Sequence, residues 1–136
     1  MSVDDDVRVV LTGTRTWAVV GCSADPSRDS HRIAGLLQRS GYRVVPVNPE
    51  LDEVLGERCY PSLSDIPPEE GIEVVDLFRR SDAVAPHVEE AIAIGATAVW
   101  MQLGVIDESA AERAREAGLR VVMDRCPAIE LPRLAA

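Results

Sequence analysis

Residues 21–32 read Gly-Cys-Ser-Ala-Asp-Pro-Ser-Arg-Asp-Ser-His-Arg, a run whose types suit the holding of an anion. Gly21 lets the backbone turn closely, and Cys22 and Ser23 are small. Ser30, His31 and Arg32 open a helix whose free N–H groups and dipole favour negative charge. Arg28 and Arg32 add guanidinium forks that grip phosphate oxygens in pairs. Ser30 serves equally well as a plain N-cap, and His31 as a phosphate contact or a packing residue. Positions 21–26 are not GxGxxG, so the loop alone does not indicate a dinucleotide.

Other loops add to this chemistry. An NAD enzyme usually places an acid for the ribose hydroxyls where this chain has Val47-Asn48-Pro49. Phe78-Arg79-Arg80 offers an apolar wall and guanidinium groups, or else a core-edge Phe with two solvated arginines. Gln102 supplies an amide and Gly104 a close backbone approach, although a simple left-handed turn explains Gly104 equally well. Asp124-Arg125-Cys126-Pro127 comes last. No catalytic constellation emerges, because neither His31 nor His87 can be assigned as a base for Cys126. Cys22, beside a helix start, is the thiol that could ionise easily. Glu89/Glu90 and Asp107/Glu108 are sequence neighbours, so on a helix they diverge and cannot share a substrate atom.

Residue spacing predicts the elements that position these loops. Four to six apolar, β-branched residues recur at 17–20, 42–47, 73–78, 97–102 and 119–123, and they alternate with helical spacing at 30–39, 85–94 and from Asp107 towards Gly118. A further helix is expected over 7–11, favoured by Asp4, Asp5 and Asp6. Residues 48–66 read as a long connection, with an extended piece at 58–60 and a helical turn at 62–66. The expected fold is α/β: a Rossmann-like, doubly wound, mostly parallel sheet of about five strands with helices on both faces.

Composition bounds the function. The 136 residues make one domain spanning 1–136, with residues 1–14 as a helical extension, and 46% hydrophobic residues supply its core. Fourteen Lys+Arg against 23 Asp+Glu give a net charge of −9, which disfavours nucleic acid and anionic membrane alike. All fourteen cations are Arg, so Schiff-base, P-loop and pyridoxal phosphate lysines are excluded. The segment 50–76 holds nine acids and one arginine, whereas 15–43 holds five arginines and two acids, so an anion is welcome in the first βα unit. Three cysteines without CxxC spacing predict free thiols in a reducing, cytoplasmic setting. No apolar run approaches the roughly 20 residues that span a bilayer.

Six blocks, WAVVGCSADPSRDSHR, GYRVVPVNP, GERCYPSLSDIP, VVDLFRR, AVWMQLGV and GLRVVMDRCPAIELPR, occur in this order over residues 17–133. Together they resemble the stand-alone CoA-binding domain family (YccU-like), itself similar to the CoA-binding domain of succinyl-CoA synthetase α subunits. The resemblance implies a Rossmann-like fold and coenzyme A as ligand. It puts the diphosphate near residues 21–32 and the nucleotide beside Val47, Asn48, Pro49, Phe78 and Arg79. It implies no activity, since the synthetases carry their phosphohistidine in a second domain and use a partner subunit. The expected function is therefore non-enzymatic binding of CoA or an acyl-CoA, as a carrier or sensor. The alternatives are a small NAD(P)-dependent oxidoreductase and a regulatory module whose acidic segment meets a basic protein partner.

Overall fold

Helical periodicity and β-branched runs alternate along most of the chain, and the resulting elements follow that alternation. A computed structural model describes residues 3–135; residues 1, 2 and 136 of the expected domain lie outside the described residues. In chain order the elements are α1 (Val3–Gly13), β1 (Thr16–Val20), α2 (Asp29–Arg39), β2 (Arg43–Val47), β3 (Glu53–Val54), β4 (Glu57–Arg58), β5 (Val74–Leu77), α3 (Ala85–Ala93), β6 (Ala98–Met101), α4 (Glu108–Glu116), β7 (Arg120–Val122) and α5 (Pro127–Ala135). Single 3₁₀ turns lie at Leu63–Asp65, Pro68–Glu70 and Ser81–Ala83.

Five strands form one parallel sheet in the order β2-β1-β5-β6-β7. The chain runs outward from β1 to β2, returns past β1 to β5 and continues to β7. The strand order thus reverses between β1 and β5, and a crevice opens beyond their carboxyl ends. Both faces are covered, so the strands are apolar at nearly every position. Alternation sends Trp17, Val19 and Trp100 to the face packed by α1, α2 and α5. It sends Ala18, Val20, Val75, Leu77, Val99 and Met101 to the face packed by α3 and α4. The indole rings of Trp17 and Trp100 meet at 5.4 Å between centroids, with their N–H groups bonded to Thr14 Oγ1 and the Arg125 carbonyl.

Two elements depart from the sequence expectation. The connection 48–66 contains a hairpin, β3–β4, turned by Leu55 and Gly56 at φ 55° and 75°. Leu55 tolerates a left-handed backbone because its side chain packs against the α2 side of the core. The extended piece expected at 58–60 lies along β2, where Tyr60 bridges to Val47. The second departure is α5, which has Pro127 at its start and Pro132 inside it. Glu130 anchors it: 4% exposed, it accepts from Arg125 at 3.2 Å and pairs with Arg133.

Helix starts and stops follow the predicted residues, Gly95 and Gly118 both taking positive φ just beyond α3 and α4. Asp107 caps α4 by accepting from Ala110 N at 3.0 Å. Asp107→Ala is expected to cost about 1 kcal/mol in urea unfolding.

Candidate functional site

The loops leaving β1, β2, β5 and β6, together with the start of α5, line a cleft of about 820 Å³ along the carboxyl edge of the sheet. Its floor begins at Gly21, which turns at φ 83° and donates its N–H to the Val47 carbonyl at 2.9 Å. A Cβ at this position would lie 2.5 Å from the Phe78 carbonyl oxygen, so only glycine allows the loops after β1 and β5 to pass this closely. From there the chain is fastened by its own side chains. Ser30 Oγ accepts from Ser23 N at 3.0 Å, and His31 Nδ1 donates to the Ser23 carbonyl at 2.8 Å. Asp25 accepts from both the N–H and the hydroxyl of Ser27, which hold its carboxyl below the usual range. Asn48 closes the floor, donating to the Cys22 carbonyl at 3.0 Å and accepting from Glu50 N at 2.9 Å.

This fastening delivers the start of α2 to the cleft with no side-chain cap: its N-cap residue is Arg28, and Arg28, Asp29, Ser30 and Arg32 all line the space. The first N–H groups of such a helix lack intrahelical partners and carry the positive end of its dipole. Four arginines surround them. Arg32 pairs with Asp29 and Arg80 with Asp82, in both cases at the surface, whereas Arg28 and Arg79 make no ion pair with the described residues.

Nine of the residues expected from sequence come together here: Gly21, Ser23, Arg28, Ser30, Arg32, Asn48, Phe78, Arg79 and Gln102. Phe78 is both wall and core edge, since it lines the cleft and packs against the α2 side of the core. Five expected residues do not line it. Cys22 is fully buried, Val47 lies in the sheet, His31 braces the loop, and Pro49 points to solvent. Gly104 is a turn residue at φ 79°, its N–H held by Asp124 at 2.7 Å. Ser30 is not an N-cap but a strut one residue inside α2.

Residues that sequence reasoning missed include Glu50, Val105 and Ala128, while Leu103 and Cys126, which lie in loops read as following β6 and β7, line the cleft without having been expected to hold ligand. The acid found wanting at position 48 is therefore present two residues further on. Asp76 was missed as well, although a charged residue in the middle of an apolar strand was a visible signal. It lies fully buried on β5, accepting from Gln102 Nε2 at 2.6 Å through Oδ1, while Oδ2 has no partner. Desolvation pushes its pKa up to about 8, against the weaker opposing effect of the Gln102 bond.

Thiol chemistry is disfavoured. Burial, reinforced by the charges of Cys59 and Asp76, pushes the Cys22 thiol up to about 12, so the easy ionisation expected from its place before a helix is overturned. Burial likewise raises Cys59 and Cys126, the latter in spite of N–H bonds from Ala128 and Ile129. All three cysteines are unbridged. No group of side chains suited to a metal ion occurs among the described residues, nor does any helix there that is long and apolar enough to cross a membrane.

Known proteins share both the sequence and this architecture. An uncharacterized protein of Bacillus subtilis, YneT, is 36% identical over 121 residues, covering 89% of this chain and 88% of its own. The solved structure of a hypothetical protein from Pyrococcus horikoshii is 44% identical and superimposes with a TM-score of 0.91 over 98% of this chain and 92% of that one. An acetyl-coenzyme A synthetase of Candidatus Korarchaeum cryptofilum, solved with phosphate and ADP, matches with 28% identity and a TM-score of 0.71, over 83% of this chain and 26% of the synthetase. A family model described as the CoA binding domain matches residues 15–132, and the chain belongs to that CoA-binding domain family.

Proposed function

We propose that this domain binds coenzyme A or an acyl-CoA along the carboxyl edge of its sheet and catalyses no reaction of its own, serving as a carrier or sensor. The observation that carries this reading is the uncapped start of α2, open to the cleft beside Arg28 and Arg79, neither of which is in an ion pair with the described residues. The N–H groups and guanidinium forks suit the diphosphate, with Arg32, Ser23 and Ser30 close by. Asn48 and Phe78 flank the space left for the nucleotide. Absence of a catalytic role is supported by the raised thiols and by His31, whose Nδ1 is engaged with the loop backbone.

Glu50 favours a second reading, a dinucleotide whose ribose hydroxyls this carboxylate accepts. Calorimetric titration separates the two. CoA is expected to bind more tightly than NAD or NADP, and saturation by NAD without binding of CoA would overturn the first reading. Arg79→Ala is expected to weaken CoA by about 10- to 100-fold, because a charge-assisted hydrogen bond contributes roughly 1.5 to 3 kcal/mol. Arg32→Ala is expected to change affinity less, since its guanidinium already pairs with Asp29. Its effect on thermal stability is expected to be slight, as an exposed pair contributes about 0 to 1 kcal/mol.

A further inference from the structure

A buried acid belongs to the same corner of the fold as the anion cradle. Asp76 pairs across the sheet with Val19, the second residue before Gly21, and alternation turns its side chain, like that of Val74, to the face that α2 and α5 cover. Three groups face it. Gln102 Nε2 donates to Oδ1 from the end of β6, and the thiols of Cys22, after β1, and Cys126, at the start of α5, lie within the field of its charge. Asp29, at the start of α2, acts on the same Cys126 thiol. Two of the groups around Asp76, Gln102 and Cys126, line the cleft together with Arg28, Asp29 and Ser30. No arginine of the cleft compensates the acid: among the described residues Asp76 forms no ion pair, and its Oδ2 has no partner. A buried carboxylate without a cation is costly, so it keeps its proton where it can.

We propose that Asp76 links ligand binding to a proton: the site holds its diphosphate while this carboxyl is neutral, and on the alkaline side binding takes up a proton there. The inference rests on the CoA reading above. Two negative charges on either side of a water-poor floor repel. At about 10 Å and an effective dielectric constant of about 20, a single phosphate charge binds roughly ten-fold more weakly over an ionised Asp76 than over a neutral one. The coupling is reciprocal, so the bound anion makes the carboxyl hold its proton more tightly by the same factor. Its sign follows from the direction of the shift. Burial carries the Asp76 titration up to about 8, so well below that pH the carboxyl is neutral with or without ligand and affinity does not depend on it. As pH rises through about 8 the free protein loses the proton, and affinity falls. The thiols of Cys22 and Cys126 are themselves raised by burial, which keeps them neutral in the window where Asp76 titrates.

Calorimetric titration with acetyl-CoA, whose sulfur cannot ionise, tests the proposal. On the parent chain the dissociation constant is expected to rise about five-fold between about pH 7 and about pH 9. At about pH 8.5 binding is expected to take up about half a proton, read from the heat in buffers of different ionisation enthalpy. In Asp76→Asn, which keeps the oxygen that accepts from Gln102, the dissociation constant is expected to change by less than about two-fold over the same range, without proton uptake. Should the parent chain lose structure at the upper end of the range, the proton uptake decides alone. A parent dissociation constant that ignores pH, with no proton taken up, would overturn the proposal. A pH dependence that persists in Asp76→Asn would overturn it too, by assigning the proton to another group. If acetyl-CoA fails to bind at any pH, the proposed function fails; if it binds equally well across the range, this inference alone fails.

Discussion

Asp76→Asn is expected to be several kcal/mol more stable than the parent protein at pH 8 and to have none of that advantage near pH 4. In the fold the Asp76 carboxyl titrates near 8, against 3.8 unperturbed. Between those values the native state keeps a proton that the unfolded chain has released, so parent stability falls as pH rises through this window. The favourable contribution is complete below about pH 4 and lost above about pH 8. Asn keeps the oxygen that accepts from Gln102 and does not titrate. Its N–H₂ lacks an acceptor where Oδ2 has no partner, but the hydroxyl of a neutral carboxyl would lack one equally, so that cost largely cancels. Urea unfolding of both proteins at several pH values checks the result. The difference should grow by about 1.4 kcal/mol per pH unit in mid-window, and a difference independent of pH would mean that Asp76 is ionised throughout.

Gly21→Ala is expected to lose roughly 3 kcal/mol and most CoA affinity together. The left-handed backbone costs a residue with a Cβ about 1 to 2 kcal/mol, and the new carbon would sit 2.5 Å from the Phe78 carbonyl oxygen, so one loop must move. Gly104→Ala provides the comparison. It has a similar φ of 79° with nothing within 4 Å of the added carbon, so it should lose only the backbone share. Thermal unfolding and CoA titration of both variants give the answer, and equal losses would show that the approach of the two loops is not what Gly21 is needed for.

Those two residues differ in how plainly the sequence announces them. Gly21 follows a β-branched run and precedes a helix, so chain geometry alone marks it. Asp76 requires knowing that β5 is central, because on an edge the same carboxylate would reach water. The sheet itself was legible since both faces of a parallel strand are covered, which writes a continuous apolar run into each. The hairpin was hidden because its strands are two residues long and Leu55 is not a residue that signals a turn. Two prolines obscured α5, one at its tolerated first position and one inside. With α5 went Ala128 and its share of the cleft wall, whereas much of the rest follows from small and basic residues that directly succeed a strand.

The outer margin of β2 shows how the fold protects itself from its own kind. Backbone N–H and C=O of one strand residue point to the same side, and the Pro46 carbonyl accepts from Tyr60, on the side away from β1. Its missing N–H therefore faces outward, where a donor would otherwise invite a foreign strand. Tyr60 bridges Val47 beside it, and the segment that follows β2 is heavily acidic. A chain that loosens this segment during synthesis or heating still presents an incomplete template, flanked by like charges, to its neighbours. At the opposite margin β7 is three residues long. Neither border of the sheet offers a good seed for intermolecular β-pairing, so aggregation of this domain should wait on global unfolding rather than on fraying of its edges.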